Sequence, residues 1–301
     1  MTSKRFVFLS FCLTFAVVSL FVCFNLYMNE FGLYGDAHGK QWRIWTYNRA
    51  SKYLFSLNYI PANFDGILIG SSSSAVMLDT RKIKGARLYN LSMNGANACE
   101  VAAAAINALE RGKMKYLIVC LDPYFFKDSM MKTSEFSSGL EKSLYGSLFT
   151  IRFYLYKLTY MLFPESDPYR ESWWGYRMII GDAPPVVDME RPGAKTEYFI
   201  DPKALKCLQE VLCVARKEGV SILAYSHPKP NNEYLANMNA YADFLAKIAA
   251  LFSPLDQVWS FNTPEFAALT GNATSFSDHV HLSETGAEMV MQEIEKRLSV
   301  H

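Results

Sequence analysis

The chain of 301 residues is half hydrophobic and 15% aromatic, with a formal net charge of +1. Such a chain can bury a substantial core, but length alone does not choose between one large domain and two small ones. The near-zero charge removes any electrostatic case for a nucleic-acid partner, and Arg81, Lys82 and Lys84 read as a solvated face.

After residues 1–5, the stretch FVFLSFCLTFAVVSLFVCFNLYM runs from Phe6 to Met28 without a charge. A helix needs about 20 apolar residues to cross a bilayer, so residues 6–28 predict a transmembrane anchor. Lys4 and Arg5 keep the short tail in the cytoplasm and put residues from about 30 onward on the outer side. A cleaved signal peptide is the rival reading, but it calls for a shorter apolar run and a small-residue cleavage site. SLFV before Cys23 does not supply one. Residues 29–62, with WRIWTYNRASKYLFSLNYI, read as a juxtamembrane connector with some helix, aromatic enough to lie near the headgroups.

From Phe64 the pattern alternates. FDGILIG (64–70), ARLYNLS (86–92) and MKYLIVCLD (114–122) read as short buried strands, and ACEVAAAAINALERG before the third reads as a helix ending at Gly112. Later come the amphipathic helix ALKCLQEVLCVARKEG, the strand VSILAYSH (220–227), a helix in NEYLANMNAYADFLAKIAALF, the strand QVWSFN (257–262) and a last helix, GAEMVMQEIEKRLSV. This spacing predicts parallel crossover units with apolar strands between helical layers, an α/β domain over residues 63–301 whose reactive groups sit at the carboxyl ends of the strands.

Residues 123–200 interrupt the alternation, with a predicted aromatic helix SLYGSLFTIRFYLYKLTYMLF and then an irregular segment. An insertion this long between core strands is usually a lid or a binding surface. Trp173 and Trp174 within it would stack on a sugar, face the membrane, or pack the insertion onto the core. Of six cysteines, Cys99, Cys120, Cys207 and Cys213 lie outside the span. No CxxC or Cys/His spacing points to a metal, and Cys207 and Cys213 face differently on one helix and cannot pair together. All four read as small core residues, in a domain that does not depend on disulfides.

Two stretches carry chemistry. In GSSSS (70–74) a serine follows a buried strand and opens a helix, a position that exposes a nucleophilic hydroxyl but equally suits a helix cap. In FSDHVHLSETGAEMV, Asp278 and His281 are three apart in a loop that enters the last helix at Ser283 or at the box from Thr285 to Glu288. That spacing lets the carboxylate fix the imidazole's tautomer and leave the other nitrogen free to take a proton from serine, with His279 as a nearby decoy.

ILIGSSSS, YNLSMNGAN and DHVHLSETGA in this order resemble the signatures of the SGNH (GDSL-like) hydrolase superfamily, and more closely its membrane-anchored bacterial branch, over roughly residues 64–122 and 203–298. The resemblance implies a three-layer α/β/α, flavodoxin-like domain and no cofactor. It puts Ser72 in the nucleophile's place, Ser71 where relatives often carry Asp, and Asp278 and His281 at the acid and base positions. The oxyanion hole would use the N–H groups of Ser72 and Gly95, with Asn94 or Asn97 in support. Asp122 stands where the superfamily carries an oxyanion-donating asparagine. A carboxylate there would repel an oxyanion unless kept protonated, or would organise the insertion. His227, in AYSHPKP, either bonds locally at the end of its strand or contacts the acyl group or acceptor. Anchored relatives serve envelope polymers, so the resemblance implies a single-pass protein of the bacterial inner membrane with its domain in the periplasm or beyond. There it would hydrolyse or transfer O-acyl groups of a polysaccharide beside a membrane-bound O-acyltransferase. A degenerate glycan-binding or scaffolding domain is the other reading.

Overall fold

A computed structural model of the chain describes residues 3–28, 42–44, 48–128, 155, 162, 169–172, 174–175, 177–179, 187–191 and 193–299. The first helix, α1 (Ser3–Met28), is long and apolar enough to cross a membrane, and its side chains are exposed along most of its length. A short strand, β1 (Trp42–Ile44), precedes α2 (Asn48–Leu57) and α3 (Tyr59–Asn63).

These two helices occupy the stretch that reads as connector, yet Leu54, Phe55 and Ile60 are wholly buried in the main core. Lys52 is buried with them, and its ammonium donates to the carbonyls of Asn90, Ser92 and Gly175 at 2.9, 2.6 and 2.6 Å. A buried ammonium is tolerated only when its donors are satisfied, and three carbonyls do that here. The folded body therefore includes α2 and α3, whose aromatic side chains Tyr53, Phe55 and Tyr59 serve packing.

Next come β2 (Gly66–Ile69), the single turn α4 (Ser72–Ala75), β3 (Leu88–Asn90), α5 (Ala98–Arg111) and β4 (Tyr116–Leu121). After the insertion strands β5 (Tyr169–Ser172) and β6 (Arg177–Ile179) follow α6 (Pro202–Lys217), β7 (Ser221–Ser226), α7 (Asn231–Ala236), α8 (Met238–Ala249), β8 (Gln257–Ser260), α9 (Ala267–Thr270) and α10 (Glu284–Leu298). The five-stranded sheet has the order β3-β2-β4-β7-β8 and every pairing in it is parallel. Chain order reverses between β2 and β4, the switch point of a flavodoxin-like sheet, where carboxyl strand ends open a crevice.

Both faces of the sheet are buried. Ile67, Ile69, Leu117, Val119 and Ala224 face the layer of α2, α3, α5, α6 and α8, while Leu68, Ile118, Leu223 and Tyr225 face that of α10 and α9. The alternation follows from the strand period of two, and burying each large aliphatic side chain contributes about 1.5–3 kcal/mol. The expected α/β architecture is therefore present, with helices on both sides of a parallel sheet.

Caps set several helix ends. Asn97 opens α5 with a capping box closed by Glu100, and Ser283 opens α10 by accepting the Gly286 N–H at 3.2 Å. The helix expected across residues 232–252 breaks at Asn237. Its amide donates to the carbonyls of Ala194 and Glu233 and accepts from the Thr196 N–H, so the side chain competes with the helix for backbone partners.

The insertion is tied to the rest of the chain at several places among the described residues. β1 and β5 pair antiparallel, β6 continues that small sheet, and Trp174 packs edge-on against Phe64 with its carbonyl on the Asn90 N–H. Most of the aromatic helix expected in the insertion, and Trp173, lie outside the described residues.

The cysteine reading needs correction. Cys99 and Cys207 form a disulfide with a Cα separation of 5.0 Å, closing a span of 108 residues. α5 and α6 lie side by side, and the first turn of one brings Cys99 against the second turn of the other. Spacing within one helix excludes a pair on that helix but says nothing about a neighbour that only the fold supplies.

Candidate active site

The GSSSS turn begins where β2 ends. A Cβ on Gly70 would overlap the Ser74 hydroxyl and stand 2.8 Å from Cys120 Cβ, so only glycine lets the turn pass this close to β4. The four serines then divide. Ser71 and Ser73 hydroxyls donate to Asp122 Oδ2 at 2.8 and 2.5 Å, and the Ser74 hydroxyl donates to Ser92 Oγ at 2.8 Å. Ser72 alone of the four is half-buried and leaves its hydroxyl without a protein partner among the described residues.

The parallel register places the second signature beside this turn. Leu91 N–H donates to the Leu68 carbonyl at 2.7 Å and Met93 N–H to the Gly70 carbonyl at 3.1 Å, which seats the turn at Met93–Ala96 next to Ser72. Gly95, with φ of +65°, is the exposed corner of that turn, in the left-handed region that glycine adopts without strain. The N–H groups of Ser72 and Gly95 have no protein acceptor among the described residues. Asn94 is half-buried beside Gly95. Asn97 is the α5 cap, its amide oxygen taken by the N–H groups of Cys99 and Glu100 and one amide hydrogen by the Lys127 carbonyl at 2.9 Å.

Asp278 and His281 come together as the spacing predicts. Nδ1 of His281 lies 2.8 Å from Asp278 Oδ2, while Oδ1 accepts the N–H groups of Val280 and His281, both at 2.7 Å. Burial works against the Asp278 charge, but the side chain and backbone N–H of His281 outweigh it and hold the carboxyl down to about 2. The carboxylate therefore keeps the proton of His281 on Nδ1 and leaves Nε2 as the basic nitrogen. Nε2 is buried and has no hydrogen-bond partner among the described residues. It makes no hydrogen bond to Ser72 Oγ, and in resting sites the base-to-nucleophile contact commonly tightens only when substrate seats. His279 stands apart, with Nδ1 3.3 Å from Glu233 Oε1.

Asp122 is charged, and it caps the first turn of the insertion as well as bonding the serine turn. It is buried, and its own burial opposes the charge. The Lys229 ammonium, His227 and the Ser73 and Ser71 hydroxyls overcome that and hold it below the ordinary carboxylate range. Its oxygens are spent on Ser71, Ser73 and the Tyr124 N–H, so the charge is directed under the serine turn. Lys229, which sequence reasoning passed over, lies 5.4 Å from the Tyr241 ring centre and 5.8 Å from that of Tyr198. Its signal in the sequence is a lysine amid HPKP at a strand end, a place where burial is decided by the neighbouring strand.

His227 is buried, and both of its ring nitrogens face protein: Nδ1 lies 3.8 Å from Cys120 Sγ and Nε2 3.1 Å from the Val280 carbonyl. Of the two expectations for it, local bonding is what its surroundings allow. Burial first, then Lys229 and His281, push its pKa down to about 4, against the pull of Asp122 and the Val280 carbonyl. A depressed histidine pKa stabilises the fold above the unfolded value of 6.5, and that stability is lost as pH falls toward about 4. We expect the melting temperature to drop between pH 6.5 and 4, and His227→Gln to flatten the drop in a thermal-melt series over that range. Trp174, packed on Phe64 and under the Arg87 guanidinium, covers the β3 edge and lies away from the serine turn.

No family model matches this chain, and no curated protein matches it. Among solved structures, one titled "The structure of a putative platelet activating factor from Streptococcus pneumonia" is similar with a TM-score of 0.46 and 12% identity, covering 83% of this chain and 91% of that one.

Proposed function

We propose that the chain is a membrane-anchored serine esterase or acyltransferase of SGNH type, acting on O-acyl groups of a cell-envelope polysaccharide. The observation that carries the reading is the state of His281: its Nδ1 is held by Asp278, while its Nε2 is buried and unpartnered among the described residues. A histidine so oriented is a general base awaiting a hydroxyl, and Ser72 is the serine of its run whose hydroxyl is not already used.

In this reading His281 takes the Ser72 proton as Oγ attacks the ester carbonyl. The tetrahedral oxyanion forms against the N–H groups of Ser72 and Gly95. Collapse expels the sugar hydroxyl, which takes its proton from His281 and leaves an acyl-enzyme on Ser72. Water or a second sugar hydroxyl then attacks that ester, with His281 again as base. The polysaccharide and the companion membrane-bound O-acyltransferase come from the sequence resemblance. The outer-side location is supported by Lys4 and Arg5 before α1 and by the Cys99–Cys207 disulfide, since disulfides persist in oxidising compartments.

The full chain in detergent micelles, treated with a fluorophosphonate probe, is expected to label at one serine. Ser72→Ala should abolish labelling, and Ser74→Ala should keep it. Labelling that survives Ser72→Ala would move the nucleophile elsewhere. No labelling of folded wild type would favour the glycan-binding or scaffolding reading.

A further inference from the structure

We propose that His227 is a positioning residue for the acid-base loop, holding the Val280–His281 peptide so that the His281 ring keeps its place against Asp278. The inference rests on the serine-esterase reading for its catalytic consequence, but the brace itself is a matter of geometry.

The loop from Ser277 to His281 is half-buried to exposed, while His227 at the end of β7 is 1% exposed. The backbone of His227 is fixed on both sides, its N–H on the Leu121 carbonyl at 3.3 Å and its carbonyl accepting Asn262 Nδ2 at 2.8 Å. Its tautomer is set by Val280. A carbonyl only accepts, so the contact at 3.1 Å puts a hydrogen on His227 Nε2. In the neutral ring Nδ1 is then the acceptor and faces Cys120 Sγ at 3.8 Å, a thiol that burial, with Asp122 beside it, pushes up to about 12 and so keeps protonated.

That carbonyl belongs to the same planar peptide group as the His281 N–H, which donates to Asp278 Oδ1 at 2.7 Å. The peptide is therefore pinned at its oxygen by the buried sheet end and at its nitrogen by the triad carboxylate. Its plane sets where the His281 Cα–Cβ bond points. The pin also joins the two halves of the site: Cys120 Sγ lies 3.9 Å from Ser73 Oγ, and Ser73 donates to Asp122 beneath the serine turn. A displacement of about 1 Å at a catalytic group can cost about 100-fold in rate, so a pin of this kind has something to protect.

The test uses the full chain in micelles with 15N-labelled histidine. In wild type, His227 should show a protonated Nε2 and an unprotonated Nδ1, and a protonated Nδ1 would overturn the proposal without any mutation. Asparagine cannot reach Val280 with its shorter amide, whereas the Nε2 of glutamine occupies the place of the histidine Nε2. His227→Asn is expected to slow fluorophosphonate labelling of Ser72 by about 10- to 30-fold and to lose the low-field Nδ1–H resonance of His281. His227→Gln should keep that resonance and label within about threefold of wild type. If His227→Asn keeps both, or if His227→Gln fails as badly as His227→Asn, the brace is wrong. If wild type is inert to the probe, the esterase reading falls, and the two histidine resonances still decide the brace.

Discussion

Replacing Asp122 by alanine is expected to destabilise the domain by about 3–5 kcal/mol, the usual cost of leaving a buried charge without its partner. Lys229, 9% exposed, is the foremost charge favouring the Asp122 carboxylate, so the change takes a buried negative charge away from a largely buried ammonium. The same change strands the hydroxyls of Ser71 and Ser73 and removes the cap on Tyr124 N–H. Chemical denaturation of the full chain in micelles measures the loss, and a change below about 1 kcal/mol would show that Asp122 is not the anchor of the turn.

Asp122→Asn separates two accounts of activity. If the carboxylate acted chiefly by repelling an oxyanion, neutralising it would speed Ser72 labelling. If it holds the serine turn, as its hydrogen bonds indicate, asparagine weakens two charge-assisted bonds and slows labelling by about tenfold, equivalent to about 1.4 kcal/mol. Faster labelling in Asp122→Asn would refute the holding role.

Removing the disulfide by the double change Cys99→Ser and Cys207→Ser is expected to cost about 4 kcal/mol. Closing a loop of 108 residues withdraws much freedom from the unfolded chain, and α5 and α6 lose their covalent tie. For a domain of this size that corresponds to a fall in melting temperature of about 10 °C. Thiol alkylation of intact cells tests the compartment as well. Cys213, exposed and free, should react at once, whereas Cys99 and Cys207 should react only after reduction. Immediate reaction of all three would remove both the disulfide and the support it lends to an outer-side location.

The order of elements and the pairing of Asp278 with His281 were legible because both depend on neighbours in the chain. A strand buried on both faces must be a short apolar run, and GILI, YLIVCL and SILAYS are such runs. An uncharged stretch of bilayer length is equally local, and so is a carboxylate three residues before a histidine, since loop geometry brings Asp278 to Nδ1 whatever surrounds it. The position of Ser72 followed from the end of β2.

What the tertiary structure decided depends on which strangers meet. The fate of Ser71 and Ser73 was set by a carboxylate some 50 residues away, and the charge of that carboxylate is favoured by a lysine more than 100 residues on. The Cys99–Cys207 pairing required two helices to pack side by side. Burial of Lys52 needed three carbonyls from β3, the loop after it and the insertion. Local sequence carries propensity and period, but buried polar groups are stable only with partners, and their partners come from distant parts of the chain.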